Sequence, residues 1–194
     1  MVRRNIPLLL FFSFINAQIA LPTFQAVHKP HTTSSGTPEN PLQSSGLSIA
    51  GTGNNWQYLL GHRFTPQVNG TITQLGGYYN GTKTVYLWRW SDGYFLGSVS
   101  HTSSNSWTYT DLASSVSIAS GTEYYVAVAI NNSGGAYIDF GGNPLPNTYG
   151  NITINYTAYK VGNFNSTTMP TSFTRDNRTD RTYGMPDITF VPDS

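Results

Sequence analysis

From Gly46 onward the chain is cut into short runs of β-branched and aromatic residues by clusters of Gly, Asn, Asp and Ser. The runs recur about every 8 to 12 residues, the spacing of a sandwich or barrel of short strands. The predicted strands cover 58–65, 71–79, 84–90, 94–100, 106–112, 123–130, 136–140, 152–161 and 185–191. Between them stand Asn69-Gly70, Asn80-Gly81, Asp92-Gly93, Ser120-Gly121 and Gly134-Gly135, dipeptides that reach positive φ in tight turns at low steric cost. Val126, Val128 and Ile130 alternate with Ala127 and Ala129, and Ile152, Ile154 and Tyr156 alternate with polar neighbours. Period two predicts strands that bury one face. No window of about a dozen residues keeps a helical apolar period. The expectation is an all-β, two-sheet antiparallel β-sandwich, jelly-roll-like or Ig-like, with almost no helix.

Ahead of this region Arg3 and Arg4 precede an apolar run over residues 6–15 that leads to Ala17. That order is a secretory signal peptide's, expected over residues 1–17, with the mature chain starting at Gln18. The run falls short of the about 20 apolar residues that cross a bilayer, so no membrane insertion is expected. Residues 18–45 scatter Pro22, Pro30, Pro38 and Pro41 among Thr, Ser and Gly and read as a flexible spacer. The folded domain is expected over 46–194, secreted and extracellular.

Cysteine is absent, so a domain of this size must hold together by packing alone. Charged residues make up only 10% of the chain. Without Arg3 and Arg4, eight Lys and Arg face nine Asp and Glu, which leaves no basic footprint for nucleic acid. Seven Asn-x-Ser/Thr sequons, at Asn69, Asn80, Asn131, Asn151, Asn155, Asn165 and Asn177, would accept glycans on a eukaryotic secretory route.

Catalytic chemistry finds little support in the residues. Two-carboxylate hydrolysis needs acids that face one another with one pKa raised, and nothing pairs the scattered Asp and Glu by motif. No Cys and no Gly-x-Ser-x-Gly elbow exist, and the domain holds only His62 and His101. No catalytic residue, metal site or cofactor is expected. Asp176 and Asp180 offer oxygen ligands within one loop, but Arg175, Arg178 and Arg181 interleave with them, so a local Arg-carboxylate network is the better reading.

The aromatics carry more information. On the strand over 84–90, period two puts Tyr86, Trp88 and Trp90 on one face and Val85 and Leu87 on the other. With the aliphatic face in the core, the opposite face would offer three flat rings to a partner, as a sugar ring demands. In the alternative arrangement Trp88 packs into the sandwich and its neighbours cover a sheet edge. Tyr78 and Tyr79 beside Asn80, and Trp56 after Asn54-Asn55, share that ambiguity, so the candidate ligand-binding residues are Tyr86, Trp88, Trp90, Tyr78, Tyr79 and Trp56. Trp107 reads as core.

A series of landmarks spans nearly the whole predicted domain: Gly61-His62-Arg63-Phe64-Thr65-Pro66, Gly70-Thr71-Ile72-Thr73-Gln74-Leu75, Leu87-Trp88, Asp92-Gly93, Trp107, Val116-Ser117-Ile118, Gly121-Thr122-Glu123-Tyr124, Tyr159-Lys160-Val161-Gly162, Met169-Pro170-Thr171 and Tyr183 to Phe190. In this order they resemble a domain of unknown function found in secreted bacterial proteins, often beside Ig-like and carbohydrate-active modules. The resemblance implies a β-sandwich, an extracellular location and a role in recognition or adhesion, and it supplies no active site. The leading expectation is a non-catalytic extracellular binding or adhesion module for glycan or another surface partner. The alternative is a structural cell-surface or matrix protein acting by self-association. A glycosidase or lyase is the third.

Overall fold

The computed structural model describes residues 36–193 apart from Asn54, Ser133 and Gly142. The expected signal peptide and residues 18–35 of the expected spacer lie outside the described residues.

The strands in chain order are β1 (Ile49–Gly53), β2 (Tyr58–Pro66), β3 (Gly70–Gly77), β4 (Asn80–Arg89), β5 (Phe95–Ser104), β6 (Thr108–Ile118), β7 (Tyr124–Ile130), β8 (Gly135–Asp139), β9 (Asn147–Tyr149), β10 (Ile152–Val161), β11 (Arg175–Arg178), β12 (Arg181–Tyr183) and β13 (Pro186–Pro192). A 3-10 turn at Gln43–Ser45 is the helical segment among the described residues. All pairings are antiparallel. One large sheet runs β11-β10-β2-β7-β4-β5, with β9 added on β10, and two three-stranded sheets run β13-β3-β6 and β1-β8-β12. The fold is an all-β sandwich.

Period two explains the first layer contact. Leu60 and Phe64 of β2, Val85 and Leu87 of β4, and Val126, Val128 and Ile130 of β7 face Ile72 and Leu75 of β3, Ile118 of β6, and Ile188 and Phe190 of β13 in one buried cluster. Each such side chain contributes roughly 1.5–3 kcal/mol by leaving water. The second layer is divided between the two short sheets. Gly184, at the junction of β12 and β13, sits so close to Leu60 and Val128 that an added Cβ would come within 2.6 Å and 2.8 Å of them. Both short sheets therefore lie over the inner face of the large one. A second cluster joins Ala136 and Ile138 of β8 to Ile154, Met185, Leu145 and Leu42.

The structure corrects several sequence expectations. β7 is buried along its whole length, not on one face. Ala127 and Ala129 lie in a third cluster on the outer face with Leu59, Tyr86, Trp88, Tyr125 and Ala158. Their small size leaves room for the aromatic rings beside them. β4 begins at Asn80, so Asn80-Gly81 lies inside a strand and the chain reverses at Tyr78-Tyr79. By contrast Gly93 and Gly121 do sit in turns, at φ 68° and 73°. β1, β9, β11 and β12 have three to five residues each and no long alternation to betray them.

The expected flexible spacer does not reach Ser45. Residues 36–47 form a strap along β13: the backbones of Glu39 and Phe190 exchange two hydrogen bonds, at 2.7 and 2.8 Å, and Leu42 is fully buried. The Pro-rich composition concealed it because the strap pairs with a strand about 150 residues away.

Candidate functional site

Five of the six aromatics marked as ligand candidates are committed to the fold. Tyr86 and Trp88 do project from the outer face of β4, stacked with ring centroids 5.1 Å apart and 14° between planes. Trp88 stacks in turn on Tyr125 at 5.9 Å. Solvent does not reach them, because the 162–174 segment folds back across this face as a flap and lays Phe164, Met169 and Phe173 over it. Trp88 is fully buried, and its indole Nε1 donates to the Thr167 carbonyl at 2.7 Å. Trp90 is half-buried between the Arg63 guanidinium, 4.2 Å from its ring centroid, and Phe173 at 5.1 Å. The open platform allowed by the period-two pattern is thus capped: periodicity assigns a ring to a face but does not say what covers that face.

Tyr79 is also buried, edge-on to His101 at 5.7 Å, and desolvation pushes its phenol pKa up. Tyr78 packs against Trp107 at 5.8 Å beside the second cluster, and Trp107 is half-buried rather than fully core.

Trp56 is the exception. It lines an open groove of about 230 Å³ with Tyr58, Leu60, Tyr159 and Tyr183. Tyr58 and Leu60 share the inner face at the start of β2, and Tyr159 of β10 lies opposite Leu60 in register. Tyr183 comes from β12 in the second layer. Trp56 enters from the β1–β2 connection, against Gly53 and Gly135, which are register partners. A Cβ at Gly53 or Gly135 would come within 1.7 Å or 2.3 Å of the indole, so both positions must lack a side chain for the ring to sit there.

The four rings meet edge to face around a closed circuit. Trp56–Tyr58, Tyr58–Tyr159, Tyr159–Tyr183 and Tyr183–Trp56 have centroids 6.5, 6.2, 6.1 and 6.1 Å apart, at 78°, 70°, 76° and 76°. Trp56, Tyr58, Tyr159 and Tyr183 are all half-buried. Sequence reasoning missed Tyr58, Tyr159 and Tyr183 as site residues. Each stood in a predicted strand or landmark run, but nothing local tells that three strands and a loop bring them together.

The charges beside the groove are neutralised internally. Arg178 lies 5.1 Å from the Tyr183 ring centroid and makes a two-point bond with Asp180. Arg181 bonds Asp139 and lies 4.9 Å from the Tyr137 ring, which itself packs on Tyr183. These guanidinium hydrogen bonds hold the carboxyls of Asp139 and Asp180 below their usual range. Among the described residues no three His, Asp or Glu side chains gather as metal ligands, and no helix is long and apolar enough to cross a membrane.

Buried ionisable groups also lie elsewhere, His62 and Asp187 among them. His62 stands on the inner face of β2 without a partner for Nδ1, and burial lowers its pKa to about 3. Asp187 is buried under the strap, where it accepts hydrogen bonds from the backbone N–H of Leu42 and Gln43 and from the Tyr109 hydroxyl. Desolvation raises its pKa to about 6 despite those donors. Of the sequon asparagines, Asn131, Asn151 and Asn155 donate their side-chain amides to Phe164, Glu39 and Glu123 respectively, while Asn69, Asn80, Asn165 and Asn177 are exposed.

Residues 48–183 match a family described as a domain of unknown function, DUF4082. The chain belongs to the DUF4082 family. No curated protein matches it. The DUF4082 span contains all four groove aromatics and ends on Tyr183, whereas the strap and β13 lie outside it. The groove is thus built within the DUF4082 match, and the 162–174 flap falls inside it too.

Proposed function

We propose that this DUF4082 protein is a non-catalytic extracellular binding or adhesion module that recognises glycan through the Trp56–Tyr58–Tyr159–Tyr183 groove. The observation that carries the reading is the closed circuit of four aromatic rings around an open cavity. Concave sites lined by aromatics with a few polar handles are where small ligands bind. Aromatic faces complement the C–H faces of a sugar, and their hydroxyl and indole groups remain available for its oxygens. The signal-like segment ahead of the domain and the low surface charge favour action outside the cell on an uncharged partner.

Binding rather than catalysis is favoured by the state of the carboxylates. Asp92, Glu123, Asp139 and Asp180 are each bonded to an arginine, and the pKa of Asp92, Asp139 and Asp180 is lowered, the opposite of what a general acid needs. Asp187, the carboxyl raised to about 6, is fully buried and held by Leu42, Gln43 and Tyr109.

A glycan array and polysaccharide pull-down with the secreted protein are the direct test. The reading expects a reproducible set of glycans whose retention is lost in Trp56→Ala. Silence across broad glycan sets, or retention unchanged in Trp56→Ala, overturns it.

A further inference from the structure

The geometry points to a narrower ligand, and the argument rests on the glycan reading above: we infer that the groove receives a single terminal pyranose of an uncharged glycan, end-on, and not an internal stretch of a polysaccharide.

The shape of the site is the first reason. A long chain lies across rings that are roughly coplanar, whereas here each ring stands at 70–78° to its neighbours, as adjoining walls do. A cavity of about 230 Å³ is smaller than the roughly 300–1,000 Å³ that encloses a drug-sized ligand, so it suits one sugar ring and not several.

Polar handles and charge give the second reason. Among the described residues, neither the hydroxyls of Tyr58 and Tyr159 nor Nε1 of Trp56 make a hydrogen bond within the protein, while the buried Trp88 indole does. Three uncommitted N–H and O–H groups suit a ligand rich in hydroxyls. A quaternary ammonium, the other compact group that aromatic walls attract, accepts no hydrogen bond. Arg178 already lies on Tyr183, Arg181 on Tyr137, and the nearby Asp139 and Asp180 are spent on those arginines, so neither of these carboxylates is free to draw a cation in.

Access is the third. Tyr58 opens β2 and pairs with Val161 and Ile130, the last residues of β10 and β7. At the other end of β2, Pro66 meets Gly121, and nearby Asp193 bonds Asn69 while Gly36 bonds Pro192. Eight steps of strand, about 26 Å, separate the two ends. Among the described residues, both the first and the last therefore lie at the end remote from the groove, and the described strands and loops admit a ligand tip first.

Calorimetry would use the methyl glycosides of glucose, galactose, mannose, xylose and N-acetylglucosamine, linear oligosaccharides of the same sugars, and tetramethylammonium. The inference expects a methyl glycoside to bind within about threefold of the longest oligomer of its sugar. Trp56→Ala should weaken it by about tenfold or more. The fold-preserving double variant Tyr58→Phe with Tyr159→Phe should weaken it as well, and Tyr94→Ala, at a ring 60% exposed outside the groove, should leave it unchanged. Affinity that climbs with chain length while methyl glycosides stay silent overturns the terminal-sugar inference and leaves the glycan reading standing. Silence of every saccharide, or binding of tetramethylammonium alone, overturns both.

Discussion

The Trp88 indole N–H donates to the Thr167 carbonyl at 2.7 Å and so ties the middle of the large sheet to the flap that covers it. Around that bond Phe164 and Phe95 stand edge-on to the indole while Tyr86 and Tyr125 stack on it. Trp88→Phe preserves much of the stacking but leaves the carbonyl without its donor. It should cost about 1–3 kcal/mol in urea unfolding and speed amide exchange across residues 162–174. Unchanged exchange there would show that apolar packing alone holds the flap.

Two buried groups set opposing pH dependences. Below about pH 6.5 the unfolded chain protonates His62 while the folded protein resists until about 3, so this contribution falls as pH drops through that interval. Asp187 acts in reverse: the folded protein takes up its proton near pH 6 and the unfolded chain near 3.8, so its contribution is complete below 3.8 and lost as pH rises to about 6. Each slope is about 1.4 kcal/mol per pH unit, and between about pH 4 and 6 they cancel. Burial lowers His101 as well and reinforces the His62 side. Relative to the parent protein, the pH dependence of the thermal midpoint between about pH 4 and 6 should therefore tilt toward a fall with rising pH in His62→Gln and toward a fall with decreasing pH in Asp187→Asn. Two variants with the same slope would disprove the opposition.

Gly135 is a seat for a ring rather than a turn residue. Gly135→Ala places a methyl within 2.3 Å of the Trp56 indole, so the ring must move. The variant should lose about 1–3 kcal/mol of stability by overpacking. Its near-ultraviolet circular dichroism should change, and groove binding should weaken with it. A variant with wild-type stability and spectrum would mean the ring is not held there.

The strap should behave as part of the domain. Leu42 is fully buried in the second cluster, and its backbone N–H is held by Asp187. Leu42→Ala should cost about 2–5 kcal/mol in chemical unfolding, the range for truncating a buried leucine. A loss under about 0.5 kcal/mol would place this residue with ordinary surface positions.

How much of this was legible in the chain depends on distance along it. The strands over 58–66, 124–130 and 152–161 announce themselves because alternation is local and two sheet faces impose it. Cysteine-free composition and Gly-punctuated spacing likewise pointed to a β-sandwich held by packing. The same alternation placed Tyr86 and Trp88 together on one face of β4, opposite Val85 and Leu87.

Tertiary structure decided what lies over each face. The Thr167 carbonyl reaches Trp88 from 79 residues away, and Glu39 meets Asn151 across 112. No period in the sequence records such meetings, because they follow from which strands neighbour one another once both layers close. For the same reason the aromatic stripe became a covered core. Trp56 met Tyr58, Tyr159 and Tyr183 because two strands of one layer face a third strand and a loop from the other.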